Sequence, residues 1–177
     1  AATYDRDLES FGYVAPAGGV ESFHKVLNKP SGLILDAGCG TGLCSKLLVA
    51  RGYTNIHGAD FSVDMLAEAR KLGNYHQLTE ANFREPLAFA DDIYDGVLSI
   101  GVYSSHIGVG FISELVRVTK SGGVICVSCR FNFYEEDLLP GINALVASGK
   151  VGVESSETHP YMTGQDADAV YVVMRVE

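Results

Sequence analysis

No run in the chain approaches the ~20 consecutive apolar residues that a membrane-spanning helix needs, so no membrane partner is expected. Basic residues are scarce: 13 Lys and Arg stand against 22 Asp and Glu, a formal net charge of −9. No Lys/Arg cluster offsets that excess, so no nucleic acid is expected as partner or substrate. The first residues, Ala1-Ala2-Thr3-Tyr4-Asp5-Arg6-Asp7, lack the basic and apolar regions of a secretory leader. Cysteine is confined to Cys39, Cys44, Cys126 and Cys129, which make no disulfide framework. A cytoplasmic location is therefore expected. Cys126 and Cys129 lie three apart in an apolar run that reads as a buried strand. Residues at that spacing point to opposite faces, which makes a poor zinc or redox pair. Small buried side chains are the expected reading; thiols that bind a soft substrate such as arsenite are the alternative. No metal site is expected.

What the chain does contain is an alternation of strand and helix patterns over 177 residues, a length that favours one domain. Leu33-Ile34-Leu35, after the turn signal Lys29-Pro30-Ser31-Gly32, reads as a buried parallel strand. A helix follows over Leu43 to Arg51 and stops at Gly52. Asn55 to Asp60 reads as a second strand, and Ser62 caps a helix that ends at Gly73. Tyr75 to Thr79 and Tyr94 to Ile100 read as further strands, Phe111 to Val118 as a helix, Val124 to Ser128 as a fifth strand and Leu138 to Val146 as a helix. Val151 to Val153 and Ala169 to Val176 read as strands with no helical pattern between them, which predicts a terminal hairpin and one antiparallel strand at the sheet's edge. The progression predicts an α/β fold: an open, doubly wound, mostly parallel sheet of about seven strands. Ligands of such sheets bind beyond the carboxyl ends of the strands.

The first strand ends in Leu35-Asp36-Ala37-Gly38-Cys39-Gly40-Thr41-Gly42, which opens the next helix. Glycines there permit positive φ and let a ligand touch the backbone, and the helix N-terminus favours an anionic group such as a carboxylate. The spacing is G-x-G-x-G. A dinucleotide fingerprint would place its third glycine at position 43, which is Leu43, and no Gly-Lys-Ser/Thr follows to make a phosphate-binding P-loop. The loop thus fits a nucleoside cofactor carrying a carboxylate better than a dinucleotide. Asp60, 18 residues past Gly42 at the end of the second strand, is placed to accept hydrogen bonds from both ribose hydroxyls. The alternative for Asp60 is a favourable charge at a helix N-terminus.

The Asp36-to-Gly42 run, Gly58-Ala59-Asp60-Phe61-Ser62 with Met65, Tyr94-Asp95-Gly96-Val97, and Glu114 through Gly123 together resemble the class I S-adenosylmethionine-dependent methyltransferases of the type 11 group. Ser121 stands where that group more often has proline. The stretches Ile100 through His106 and Val118-Thr119-Lys120 are most similar to the methyltransferase-like proteins of the Williams–Beuren syndrome region. The resemblance covers nearly the whole chain. It implies a Rossmann-like domain over 1–177, with an N-terminal helical lid over 1–28, a cofactor-binding core over 29–130, and a helix plus terminal hairpin over 131–177.

The resemblance also implies residue roles. Asp36 and the backbone of Gly38, Cys39 and Gly40 would hold the methionine part of S-adenosylmethionine, and Asp60 its ribose. Phe61 and Met65 would cover one face of the adenine, and Asn82 with Phe83 would read its edge. Ile100 and Gly101 would border the methionine and the reacting sulfonium, and Tyr4 would close the site from above. The alternative reading of Phe61 and Met65 is packing at a helix start, and of Asn82 with Phe83 a loop turn beside a core aromatic.

The implied reaction is methyl transfer by in-line displacement to a small-molecule acceptor, leaving S-adenosylhomocysteine. A catalytic residue is required only if the acceptor needs deprotonation. His106, in the loop after the fourth strand, is the candidate base, and a packing histidine is the alternative. Phe131 to Leu139 and the N-terminal residues are expected to roof the pocket. Asn/Asp-Pro-Pro-Tyr and a double-glutamate loop are both missing after the fourth strand, which disfavours amino methylation of nucleic acids and arginine methylation. A non-catalytic module that binds S-adenosylmethionine or S-adenosylhomocysteine, regulatory or partner-activating, is the reading from another class.

Overall fold

The structure, a computed structural model, describes residues 6, 8, 10–103, 107–108, 110–163 and 167–177. A seven-stranded sheet runs β3-β2-β1-β4-β5-β7-β6. Its strands are β1 (Ile34–Ala37), β2 (Ile56–Asp60), β3 (Gln77–Glu80), β4 (Tyr94–Ser99), β5 (Thr119–Arg130), β6 (Val151–Met162) and β7 (Ala167–Val176). The helices are α1 (Ala15–Leu27), α2 (Leu43–Ala50), α3 (Val63–Lys71), α4 (Gly110–Val118) and α5 (Leu139–Ala147); a helical turn at Phe131–Phe133 and a π-helical turn at Tyr134–Leu138 lead into α5. Strands β1 to β5 pair in parallel, and β7 runs antiparallel to both β5 and β6. The strand order reverses between β1 and β4, which opens the crevice where such sheets bind ligands.

All four residues of β1 are buried, as a central parallel strand covered on both faces requires. One face carries Leu35, Val97, Ile125 and Val172 under α4 and α5. The other carries Ile34, Leu98, Cys126 and Val173 under α1 and α2. Cys126 and Cys129 fall in opposite cores, as their spacing on a strand predicted. Helix α1 lies close on the sheet because Gly18 faces the Tyr171 ring and Gly19 faces the Ile100 side chain; a Cβ at either position would press into its neighbour.

Several bounds differ from the sequence pattern. Strand β3 starts at Gln77 because the Tyr75 side chain turns in to reach Asp36. Strand β5 begins at Thr119, which pairs with Tyr94 before a shift in register, so Ser121-Gly122-Gly123 is an irregular stretch of strand. Strand β6 extends to Met162, although Glu154 and Ser156 through Pro160 are exposed and give no apolar alternation. It occupies the sheet's edge, and the antiparallel β7 is inserted one position further in.

The ends of the strands remote from the glycine loop are tied by Asp95. Its Oδ1 accepts from Lys29 Nζ at 2.7 Å, and its Oδ2 accepts from the Leu33 N–H at 2.9 Å and from Lys120 Nζ at 3.1 Å. Burial resists ionisation of this carboxyl, but the three donors outweigh it and hold the pKa down at about 2. An acid ionised more readily folded than unfolded stabilises the fold above its unfolded pKa of about 4 and loses that contribution as pH falls toward 2. Asp95→Ala is expected to lower stability at neutral pH by about 1–3 kcal/mol, read from urea midpoints. The gap between wild type and variant should close on acidification.

Candidate active site

The run from Ala37 to Gly42 leaves the sheet at the carboxyl end of β1. Gly38 and Cys39 donate their N–H groups to the Ala59 carbonyl at 2.7 and 2.9 Å, which laces the loop to β2. Gly38 has φ +83°, and a Cβ there would collide with Val102. Gly40 has φ +52°, and a Cβ there would meet nothing within 4 Å, so its backbone faces open space. A ligand can therefore approach this peptide without a side chain in the way.

Asp60 closes the next strand and is 6% exposed. Its Oδ2 accepts from the Gly40 N–H and its Oδ1 from the Ser62 N–H, both at 2.9 Å. Each oxygen keeps a further acceptor position. Ser62 then caps α3 by accepting from the Met65 N–H at 3.3 Å. Phe61, between the acid and the cap, is 72% exposed.

The structure brings Gly38, Cys39, Gly40, Asp60, Phe61, Met65, Asn82, Phe83, Ile100 and Gly101 to the wall of one cleft of about 820 Å³. Asn82 is largely occupied by its own turn: Oδ1 accepts from the Arg84 N–H at 3.2 Å and Nδ2 donates to Glu85 at 2.9 Å. Phe83 is buried and packs on Phe111 with ring centroids 4.8 Å apart. Both residues thus carry the features of a turn and a core aromatic while also lining the cleft. The Gly101 N–H donates to Ser128 Oγ at 2.9 Å, which fastens the end of β4 to β5. Tyr4 and His106 lie outside the described residues.

Asp36 is 1% exposed and does not line the cleft; it lies behind the glycine loop. Tyr75 donates its hydroxyl to Asp36 Oδ2 at 2.7 Å. Burial pushes the Asp36 carboxyl up to about 7; the Tyr75 hydrogen bond works against this and the charge of Asp60 adds to it. Burial also raises the Cys39 and Cys44 thiols, so neither is poised as a nucleophile.

No described residue of 131–139 reaches the cleft, so the expected roof from that segment is not formed there. Leu138 of that segment joins the core instead, with Phe133 and Tyr134 packed against it. The N-terminal side of the cleft is made by Leu8, Tyr13 and Pro16, and α1 beyond them packs on a sheet face rather than over the cleft. Sequence motifs gave no sign of Tyr13. It is positioned by a bridge to Met162, by the Val14 N–H donating to the Tyr161 carbonyl at 3.1 Å, and by the Thr163 N–H donating to the Gly12 carbonyl at 2.9 Å. Those partners are about 150 residues away in the chain, beyond the reach of any local pattern.

Comparison with known proteins follows the same lines. Residues 34–123 match the family model of a methyltransferase domain. The chain is 36% identical over 157 residues to human methyltransferase-like protein 27, covering 84% of this chain and 64% of that protein. It is 29% identical to the ubiquinone/menaquinone biosynthesis C-methyltransferase UbiE of Bdellovibrio bacteriovorus, covering 87% of this chain and 73% of the relative. Among solved structures, a methyltransferase in complex with the Haloferax volcanii Trm112 methyltransferase activator superposes with TM-score 0.78 at 15% identity, over 99% of this chain and 93% of that one. Magnesium protoporphyrin IX methyltransferase of Synechocystis, solved with bound S-adenosylmethionine, gives TM-score 0.71 at 19% identity over 92% and 78%. With a family model over half its length, a relative matched across most of it, and the glycine loop and Asp60 at one cleft, the chain belongs to the class I S-adenosylmethionine-dependent methyltransferases.

Proposed function

We propose that this protein transfers a methyl group from S-adenosylmethionine to a small-molecule acceptor, leaving S-adenosylhomocysteine. The observation that carries the reading is Asp60, joined to the Gly40 and Ser62 amides beside an open glycine backbone and the exposed Phe61 ring. An acid, an unobstructed peptide and an apolar plate in that order suit a nucleoside with an amino-acid tail. Asp60 would hold the ribose, Gly38, Cys39 and Gly40 the methionine part, and Phe61 with Met65 one adenine face. Asn82 and Phe83 would border the adenine edge, and Ile100 and Gly101 the methyl-bearing end. When bound, the cofactor supplies a methyl carbon already activated by positively charged sulfur. The protein's task is then orientation and exclusion of water. Tyr4 as a cover and His106 as a base belong to the same reading.

The small-molecule acceptor is supported by the net charge of −9 with no Lys/Arg cluster along the sequence, and by relatives named as demethylmenaquinone methyltransferases. The unpaired thiols fit the reducing cytoplasm. A second reading, a subunit working with a protein partner, draws on the fold likeness to the Trm112-bound methyltransferase.

Asp36 would act through its charge, from behind the loop. A cationic group in the cleft would favour its ionised form, whereas burial in the free protein favours the neutral one. Without ligand, the folded state holds this proton up to about pH 7 and the unfolded state releases it near 4, so stability should fall as pH rises between those values. Asp36→Asn is expected to flatten that slope, measured as Tm at about pH 5 and pH 8. An equally steep slope in the variant would show that another group is responsible.

The central test is calorimetric titration with S-adenosylmethionine and S-adenosylhomocysteine. Micromolar binding is expected in wild type, weakened by about 1–3 kcal/mol in Asp60→Ala, the scale of hydrogen bonds to a charged group. A folded wild type that binds neither ligand would sink the proposal.

A further inference from the structure

Taking the nucleoside reading of the β2 side as given, the remaining wall of the cleft has a chemistry of its own. In the order β3-β2-β1-β4, the charged groups among the described lining of the cleft are Asp60, which ends β2, and Arg84, in the loop after β3. Over β4 the described lining is Tyr13, Pro16, Ile100, Val102 and Ile107, with Leu8 beside them. None of these carries a charge, and only Tyr13 among them has a polar side chain. Against these described side chains a charged molecule would lose its hydration and meet no opposite charge, a cost that an uncharged one avoids.

The Tyr13 hydroxyl is held at the methyl-bearing end by more than its own chain. A Cβ on Gly101, which has φ +75°, would collide with that hydroxyl, and the Tyr161 hydroxyl lies 3.2 Å from the same point. Glycine thus leaves the room that two tyrosine hydroxyls fill at the carboxyl end of β4. The Tyr13 ring rests edge-on against Tyr161 with centroids 5.1 Å apart. The Gly12 carbonyl receives both the Thr163 N–H and the Thr163 hydroxyl, which clasps the N-terminal segment to the end of β6. Of the two tyrosines, only Tyr13 lines the cleft.

We propose that the β4 side of the cleft takes an uncharged, mainly apolar acceptor, and that the Tyr13 hydroxyl hydrogen-bonds the acceptor's nucleophilic heteroatom. A tyrosine hydroxyl both donates and accepts, so it can pair with a neutral hydroxyl or amine, and its ring adds apolar area beside Pro16 and Ile100. The clasp with β6 fixes the ring before the acceptor arrives.

The test uses 2-naphthol and 2-naphthoate as probes of matched shape and different charge. Each is titrated by NMR into the full chain at neutral pH, with and without saturating S-adenosylhomocysteine. The expected result is that 2-naphthol binds at least roughly tenfold more tightly than 2-naphthoate, the ratio that corresponds to 1.4 kcal/mol. Tyr13→Phe should weaken 2-naphthol by about fivefold, the worth of one neutral hydrogen bond, and leave S-adenosylhomocysteine affinity unchanged. Tyr161→Phe, which keeps the supporting ring, should leave 2-naphthol affinity as in wild type. Equal or tighter binding of 2-naphthoate, no binding of 2-naphthol, or a Tyr13→Phe protein with undiminished 2-naphthol affinity would each overturn the proposal. Failure of S-adenosylhomocysteine to bind counts against the methyl-transfer reading instead, and the cofactor-free titrations then still decide the character of the β4 wall.

Discussion

Asp60 engages both carboxylate oxygens with backbone amides before any ligand is present. That one side chain joins three pieces of the chain: the glycine loop after β1, the end of β2, and the start of α3. Other bonds help the loop keep its shape: the Gly38 and Cys39 amides donate to the Ala59 carbonyl at the end of β2, the Gly42 N–H to the Cys39 carbonyl, and the Ser45 hydroxyl to the Gly42 carbonyl. The β1–β2 pairing therefore sets the cleft floor, and Asp60 sets where the loop stands above it. Preorganisation of this kind means that the backbone need not be ordered on binding.

A second constraint comes from the opposite end of the sequence. The inserted β7 and the long edge strand β6 carry the chain back across the sheet, and the end of β6 meets Gly12 to Val14. The N-terminal wall of the cleft is thus held by the last third of the protein. Gly101 is where the two ends meet the site, with Tyr13 and Tyr161 in the space that a side chain would otherwise take.

The two acids of the motif differ in environment though they lie near one another. Asp60 touches the cleft and satisfies amides. Asp36 is shut behind the loop with Tyr75 as its hydrogen-bond partner, and burial holds its carboxyl near neutrality.

Much of this was readable from local pattern. Strand β1, the glycine loop, α2, β2 and the Ser62 cap follow from apolar runs and turn residues that act within a few positions of one another, and so does the βαβ alternation that implies the sheet. The glycine spacing and Asp60 marked the cleft for the same reason. What local pattern did not contain was decided by contacts distant in the chain. Most of β6 is polar and exposed, so its strand character comes from pairing with β7 rather than from alternation of its own residues. Tyr75 left the strand pattern because its ring had a buried acid to reach. Within residues 131–139, Leu138 turned into the core and Phe133 and Tyr134 packed against it, and Tyr13 entered the cleft wall only because β6 returns to meet it. The sequence by itself determined the order of elements and the glycine loop, since these rest on backbone freedom and short-range periodicity. Only the tertiary structure decided which side chains wall the β4 side of the cleft, because those positions depend on strand pairing across the whole chain.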